Sequence, residues 1–200
     1  ALFLAARGVS QRYADAHGYA GLNGRQAAMF PITVAMTDGH ASSSCKEMWA
    51  EQHSSLGVAL SVWEAARAAA DPRFSAREAW PLLRGVAEWI GARGAWTARG
   101  YELLDMEGPD ESMTRVNNSN YANLAAIMAL RSALECHDML PTSEQDPRAA
   151  DAWRSMHDRF YLPMTGDIVL PFDGADLANA TVQPPHATWS VGSLQYLYAH

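Results

Sequence analysis

Residues 101–123, YELLDMEGPDESMTRVNNSNYAN, run straight into Leu124-Ala125-Ala126-Ile127-Met128-Ala129-Leu130. Gly108-Pro109 is a strong turn signal, so it breaks what precedes it and presents the next side chains from a loop. Those side chains, Asp110 and Glu111, are carboxylates, which can hydrogen-bond, protonate a leaving group or activate water. The run Val116-Asn117-Asn118-Ser119-Asn120-Tyr121-Ala122-Asn123 then leads into an apolar segment that reads as a buried helix. An acid- and amide-rich loop over the end of an apolar helix suits carbohydrate chemistry, because acids transfer protons and amides match paired sugar hydroxyls. A solvated loop with an Asn-capped helix has the same composition, so the rest of the chain must decide.

Working outward, the chain is helical wherever it has a period. Residues 1–17 place Leu2, Phe3, Ala6, Val9 and Tyr13 on one stripe. Residues 47–70 do the same with Trp49, His53, Leu56, Leu60 and Trp63, and residues 76–92 with Trp80, Leu83, Val86 and Ile90. Recurrence at i, i+3 and i+4 is the amphipathic helical signature. Asp71-Pro72 closes the second run, since proline cannot continue a helix. Ser119 is placed to cap a fourth helix that runs to about Cys136. A fifth, over 147–161, packs Trp153, Met156 and Phe160.

Between these helices lie long segments at 18–46, 94–118 and 162–193. Loops beyond ~15 residues are uncommon in compact domains and are often functional. The expectation is an all-α fold of side-by-side helical hairpins, with the three loops at one common end.

Composition narrows the function classes. A chain of 200 residues holds one well-buried core. With 48% hydrophobic and 18% charged residues it is globular, not disordered. A net charge of -7 leaves no basic patch for phosphates, so no nucleic-acid partner is expected. No apolar run approaches the ~20 residues that span a bilayer, so no membrane partner is expected. Cys45 and Cys136 make no disulfide framework and read as buried thiols. The seven histidines show no His-Glu-x-x-His spacing, and neither a metal nor a cofactor is expected. There is no Gly-x-Ser-x-Gly elbow. The opening Ala1-Leu2-Phe3-Leu4-Ala5-Ala6 is too short for a signal core, so a cytoplasmic location is expected, with secretion as the alternative. The chain starts without Met and reads as part of something longer.

The quoted stretch resembles the central signature of glycoside hydrolase family 65. Its elements here are an aromatic, a short strand-like run, Gly108-Pro109-Asp110-Glu111, Val116-Asn117-Asn118 and Tyr121-Ala122-Asn123. Upstream, Gly18-Tyr19-Ala20-Gly21, Ala28-Met29-Phe30-Pro31, Glu51-Gln52-His53 and the helix from Trp80 to Arg93 resemble that family's segments in the same order. The resemblance fades after Met139. It implies an (α/α)6 toroid-type barrel with its active site at the loop-rich mouth. A whole barrel needs twelve helices, and five or six are countable here, so about half a barrel is expected in a single segment of a catalytic domain, 1–200, incomplete at both ends. The remainder of that domain, or a second copy of the chain, would then cover its flanks.

The resemblance also implies roles. Glu111 matches the family's proton donor, which has to stay protonated near neutral pH through burial or neighbouring carboxylates. Asp110 is expected to organise the loop, while Glu51 and His53 divide between facing the substrate and bracing. Asn117 and Asn118 suit sugar contacts or bracing, with bracing favoured. The implied activity is inverting cleavage of an α-glucoside, which needs a second carboxyl to activate water or else phosphate as the nucleophile. Water is favoured because the Val-Asn-Asn-Ser version resembles the glucosidase branch. The alternatives are phosphorolysis of an α-glucosyl disaccharide and a degenerate, non-catalytic sugar-binding relative. The departures Ser112-Met113 and Ile32-Thr33-Val34 from the family pattern favour the last, and the retained Glu111 disfavours it. By itself the segment is expected to be inactive on disaccharides.

Overall fold

The structure, a computed structural model, describes residues 10–22, 25–30, 52–107 and 115–176. Residues 10–16 are helical, and four longer helices follow: α1 His53–Ala69, α2 Trp80–Arg93, α3 Asn120–Asp138 and α4 Pro147–Asp158. Two small antiparallel hairpins accompany them, β1 Ala95–Thr97 with β2 Gly100–Glu102, and β3 Met164–Thr165 with β4 Ile168–Val169.

Helix α3 is the centre of the packing, in contact with α1, α2 and α4. Its sequence explains why. Ala122, Ala125, Ala126, Ala129 and Ala133 are all buried and let neighbours approach closely on several sides. Helix α2 is likewise buried nearly all round, through Leu82, Leu83, Val86, Ala87, Trp89 and Ile90. Helix α4 buries only Ala149, Ala150, Trp153 and Met156, one stripe at helical spacing, as expected for an edge helix. Trp80 and Trp153 meet edge-on, with ring centres 5.9 Å apart, and join α2 to α4.

The helices alternate in direction, so connections fall at two ends. At one end the links are short. Helix α1 stops at Ala70, which is left-handed (φ 48°) and donates its N–H to the carbonyls of Ala66 and Arg67. Asp71-Pro72 then opens a new helix instead of only closing the old one. The Asp71 carboxylate accepts from the Arg73 N–H at 2.9 Å, and Pro72 occupies the first turn, where its missing N–H costs nothing. The helix passes through a π turn, Ser75–Ala79, before α2. Pro81 accounts for it, since a proline lacks the N–H for the α ladder and crowds the carbonyl four residues back, which a wider turn relieves.

The other end gathers the start of α1, the end of α2, the start of α3 and the end of α4, and with them residues 94–107, 115–119 and 159–176. The first is not irregular throughout. It carries the β1–β2 hairpin, whose Tyr101 exchanges backbone hydrogen bonds with Arg159 and Tyr161 beyond α4, at 2.8 and 2.9 Å. Gly100 is needed there, because its φ is 136° and a Cβ would lie 2.2 Å from the Arg159 carbonyl oxygen. Three-residue strands have no period to read, which is why they escape detection in sequence.

Two further expectations are corrected. Ser119 occupies the cap position of α3, but its side chain makes no capping bond. The Asn120 N–H is satisfied instead by the Pro171 carbonyl, 2.9 Å away and remote in sequence. The described part of the 18–46 segment does not stay at the loop-rich end either. Leu22 and residues 25–28 lie along α2, where the Ala28 N–H donates to the Gly85 carbonyl at 2.8 Å. A Cβ on Gly85 would come within 2.6 Å of the Ala28 Cβ, so this contact depends on the glycine. Fully buried Glu88 accepts from the Leu22 N–H at 2.8 Å, and Arg25 lies 3.9 Å from its carboxylate while holding Asp146 at 2.5 Å. Burial pushes the Glu88 carboxyl up, against the pull of Leu22 and the arginines.

Candidate active site

Residues 108–114 lie outside the described residues, so Asp110 and Glu111 do too, as does Glu51. What the structure does describe is the frame on which that loop is mounted. Met106 and Val116 form an antiparallel bridge, with N–H to carbonyl distances of 2.9 and 2.8 Å, and close the loop at its neck. Across the bridge, Arg115 on its loop side grips the carboxylate of Asp105, just outside it, with both Nε, at 2.7 Å to Oδ1, and Nη2. Asp105 and Arg115 both adopt left-handed backbone, with φ of 53° and 61°. Such geometry is uncommon for non-glycine residues, and for Arg especially it persists only where surrounding bonds hold it.

Asn117 and Asn118 belong to this frame. The Asn117 side-chain oxygen accepts from the Asp105 N–H at 2.9 Å. Asn118 is fully buried and left-handed, and its N–H donates to the Leu103 carbonyl at 2.8 Å. Its side-chain nitrogen donates to Glu102 Oε2 at 2.7 Å, and its oxygen accepts from the Asn123 amide at 3.1 Å. The Asn123 amide also reaches the Tyr161 carbonyl at 2.8 Å, which carries the chain of bonds across to the segment beyond α4.

Glu102 is the buried anion of this frame. Thr97 Oγ1 and Arg99 donate to it alongside Asn118. Burial works to raise its pKa, but those donors outweigh burial and the carboxyl is held low. Arg99 in turn lies over the Tyr161 ring at 4.1 Å and pairs with Asp173 at 2.7 Å. Asp173 donates its own N–H to the Asn117 carbonyl at 2.9 Å. One guanidinium therefore ties the hairpin to a residue 74 positions away, and through it to the base of the loop.

The Arg99 hydrogen bonds hold the Asp173 carboxyl below its ordinary value. Because the folded pKa is depressed, the contribution is complete above the unfolded value of about 3.9 and is lost as pH falls through the lower folded value. Amide hydrogen exchange, corrected for intrinsic rates, is expected to show segments 116–120 and 171–173 loosening below about pH 4. Asp173→Asn should remove most of that pH dependence. Unchanged behaviour in the variant would show that the pair contributes nothing to the frame.

His53 is half-buried at the start of α1 and packs edge-on against Tyr121 at the start of α3, with ring centres 5.9 Å apart. Its neighbour Gln52 contacts the Tyr19 hydroxyl at 3.3 Å and accepts from Arg93 Nε at 2.5 Å. Arg93 Nη2 also donates to the Leu104 carbonyl at 2.6 Å and the Asp105 carbonyl at 2.9 Å. The structure thus brings Gln52 and His53 and the Met106–Val116 neck of the loop to one place. Arg93, Arg99, Glu102 and Asp173 were not singled out by sequence reading, because their partners are chosen by tertiary contact. Among the described residues no group of three or more His, Cys, Asp or Glu is placed to hold a metal. Cys136 is buried, with its thiol pushed up to about 11 by burial, so it is unreactive. Cys45 lies outside the described residues.

The sequence profile of the glycosyl hydrolase family 65 central catalytic domain matches residues 9–181. The chain is 24% identical over 181 residues to a kojibiose phosphorylase of Halothermothrix orenii, covering 76% of this chain and 23% of that protein. It is 26% identical over 140 residues to the kojibiose phosphorylase of Caldanaerobacter subterraneus, covering 62% and 18%. It is 23% identical over 141 residues to an uncharacterised glycosyl hydrolase of Mycobacterium tuberculosis, covering 61% and 11%. The chain therefore spans about a quarter or less of the length of these relatives.

Among solved structures, a candidate kojibiose phosphorylase from the human microbiome superposes with a TM-score of 0.71 at 14% identity, over 99% of this chain and 32% of that one. At that identity the match concerns the fold, which is all-α and of the (α/α)6 toroid type, with a partial barrel in this chain. On the profile match and the shared helical fold together, the chain belongs to glycosyl hydrolase family 65, in the region of its central catalytic domain.

Proposed function

We propose that the protein cleaves an α-glucosyl disaccharide with inversion, by phosphorolysis, with Glu111 as the general acid. The observation that carries this reading is the Gly108-Pro109-Asp110-Glu111 motif mounted on a loop whose neck is clamped by Met106–Val116, Asp105–Arg115 and Asn117. A general acid has to meet the glycosidic oxygen within hydrogen-bond reach, and a fixed neck limits where its carboxyl can go. Phosphate is preferred over water because the relatives whose names state an activity are kojibiose phosphorylases. The short Val-Asn-Asn-Ser resemblance that favoured hydrolysis weighs less than matches of that length.

In this reaction Glu111 gives its proton to the oxygen that leaves with the second sugar. A phosphate oxygen attacks the anomeric carbon from the opposite face, so a C1–O bond to phosphate forms as the glycosidic C1–O bond breaks, and the product is a β-configured sugar 1-phosphate. We assign a contact with a sugar hydroxyl to His53, the described residue for which the family resemblance implies a substrate-facing or bracing role. Asn117 and Asn118, already engaged with Asp105 and Glu102, serve the loop. Losing one hydrogen bond to a neutral hydroxyl is worth about 0.5–1.5 kcal/mol, so His53→Ala should raise KM by roughly 2–10-fold with little change in kcat. A fall in kcat at constant KM would move His53 out of the substrate-binding role.

The deciding experiment incubates the intact protein with kojibiose, with and without inorganic phosphate. Phosphate-dependent release of glucose together with a sugar 1-phosphate supports the proposal. Release of two glucoses at the same rate without phosphate would replace phosphorolysis with hydrolysis.

A further inference from the structure

We propose that Arg93 is a positioning residue for the general acid. Its guanidinium locks the stem of the Glu111 loop to the helix start that carries His53. The inference rests on the reading of Glu111 given above and adds a residue which that reading does not need.

Arg93 is the last residue of α2, and its side chain reaches across the loop-rich end to make three hydrogen bonds. Nη2 takes the consecutive carbonyls of Leu104 and Asp105, at 2.6 and 2.9 Å, and Nε takes the Gln52 side-chain oxygen at 2.5 Å. The two carbonyls immediately precede Met106, the residue whose bridge to Val116 closes the loop. Asp105 is also the point where the backbone enters the left-handed region, so its carbonyl direction is an unusual one that a donor must meet. On the other side, Gln52 is buried and continues to Tyr19, directly before His53. One planar group thus sets the separation between two segments that approach each other nowhere in sequence.

A lysine could not do this. Guanidinium offers donors in a rigid fork, whereas an ammonium on a flexible stem cannot hold both directions at fixed geometry. An arginine at a helix C-terminus also interacts favourably with the helix dipole, and lysine would preserve that effect. Lys at position 93 therefore separates the two explanations. Misplacement by about 1 Å of a group remote from the reacting bond can cost on the order of 10²-fold in rate.

The test uses the intact protein with phosphate, comparing Arg93→Lys with Glu111→Gln as reference. Each is assayed on kojibiose and on α-glucosyl fluoride, whose leaving group needs little protonation. Arg93→Lys is expected to lose roughly 10–100-fold in kcat on the disaccharide and under about 3-fold on the fluoride, with KM and thermal midpoint little changed. Equal losses on the two substrates, or no loss, overturn the inference while a selective loss in Glu111→Gln leaves the general acid in place. If Glu111→Gln itself loses activity equally on both, the general-acid reading and this inference fall together. Should Arg93→Lys not fold, Gln52→Ala carries the test, since it removes one of the three partners and keeps the arginine. It is expected to lose roughly 3–10-fold on the disaccharide alone, and a uniform loss counts against the inference in the same way.

Discussion

Glu111→Gln is expected to lower turnover of a disaccharide by about 10²–10⁴-fold, the usual contribution of a general acid. The amide keeps the size of the side chain and loses the transferable proton. A sugar leaving as an alkoxide is a poor leaving group and depends on protonation, whereas fluoride does not. The informative quantity is the loss on disaccharide divided by the loss on glucosyl fluoride. A large ratio identifies the proton donor. A ratio near one, with both rates reduced, makes Glu111 a residue that holds substrate or loop. No loss on either substrate would take Glu111 out of the reaction altogether.

Trp89→Ala is expected to cost about 3–5 kcal/mol of stability, the range for removing a buried Trp or Phe side chain from a packed core. Trp89 is fully buried on α2 and meets the edge of Tyr19 at 6.4 Å between ring centres, so deletion leaves a cavity where α2 receives the leading segment. Trp96 supplies the control. It is 48% exposed on β1, against Tyr101 and beneath the Arg159 guanidinium, which lies 4.7 Å from its ring centre. Trp96→Ala should stay within about 1 kcal/mol, since surface substitutions away from core features have small effects. Denaturant midpoints of the two variants of the intact protein provide the comparison. Equal shifts would contradict the packing of α2 described here.

The two substitutions probe different kinds of information. The helices that bury Trp63, Trp80, Trp89 and Trp153 were legible, because helical burial repeats every three or four residues and that period is written locally. A helix expected over 147–161 is found at Pro147–Asp158, and its single buried stripe is that of an edge helix. The loop motif is a sequence signal of a different kind: Gly-Pro before two carboxylates is a turn signal, at positions that lie outside the described residues. Asn117 and Asn118 could be flagged as bracing or binding, and their hydrogen bonds in the structure go to Asp105, Glu102 and Asn123.

What sequence could not supply is the choice of partner for each polar group. Arg93 meets Gln52 across 41 positions, and Arg99 meets Asp173 across 74. No local pattern distinguishes these arginines from Arg67, whose ion-pair partner is Glu64 on the same helix, exposed to solvent. The same limit applies at the start of α3, where sequence offers the Ser119 hydroxyl as a cap and the fold brings the Pro171 carbonyl to the Asn120 N–H instead. Periodicity acts over a few residues, so the sequence by itself determined the helices and their order, and flagged the loop motif that bears Glu111. Hydrogen bonds form wherever the folded chain brings a donor and an acceptor together. Only the tertiary structure therefore decided that Arg93, Glu102, Asn118 and Asp173 form the frame around that loop.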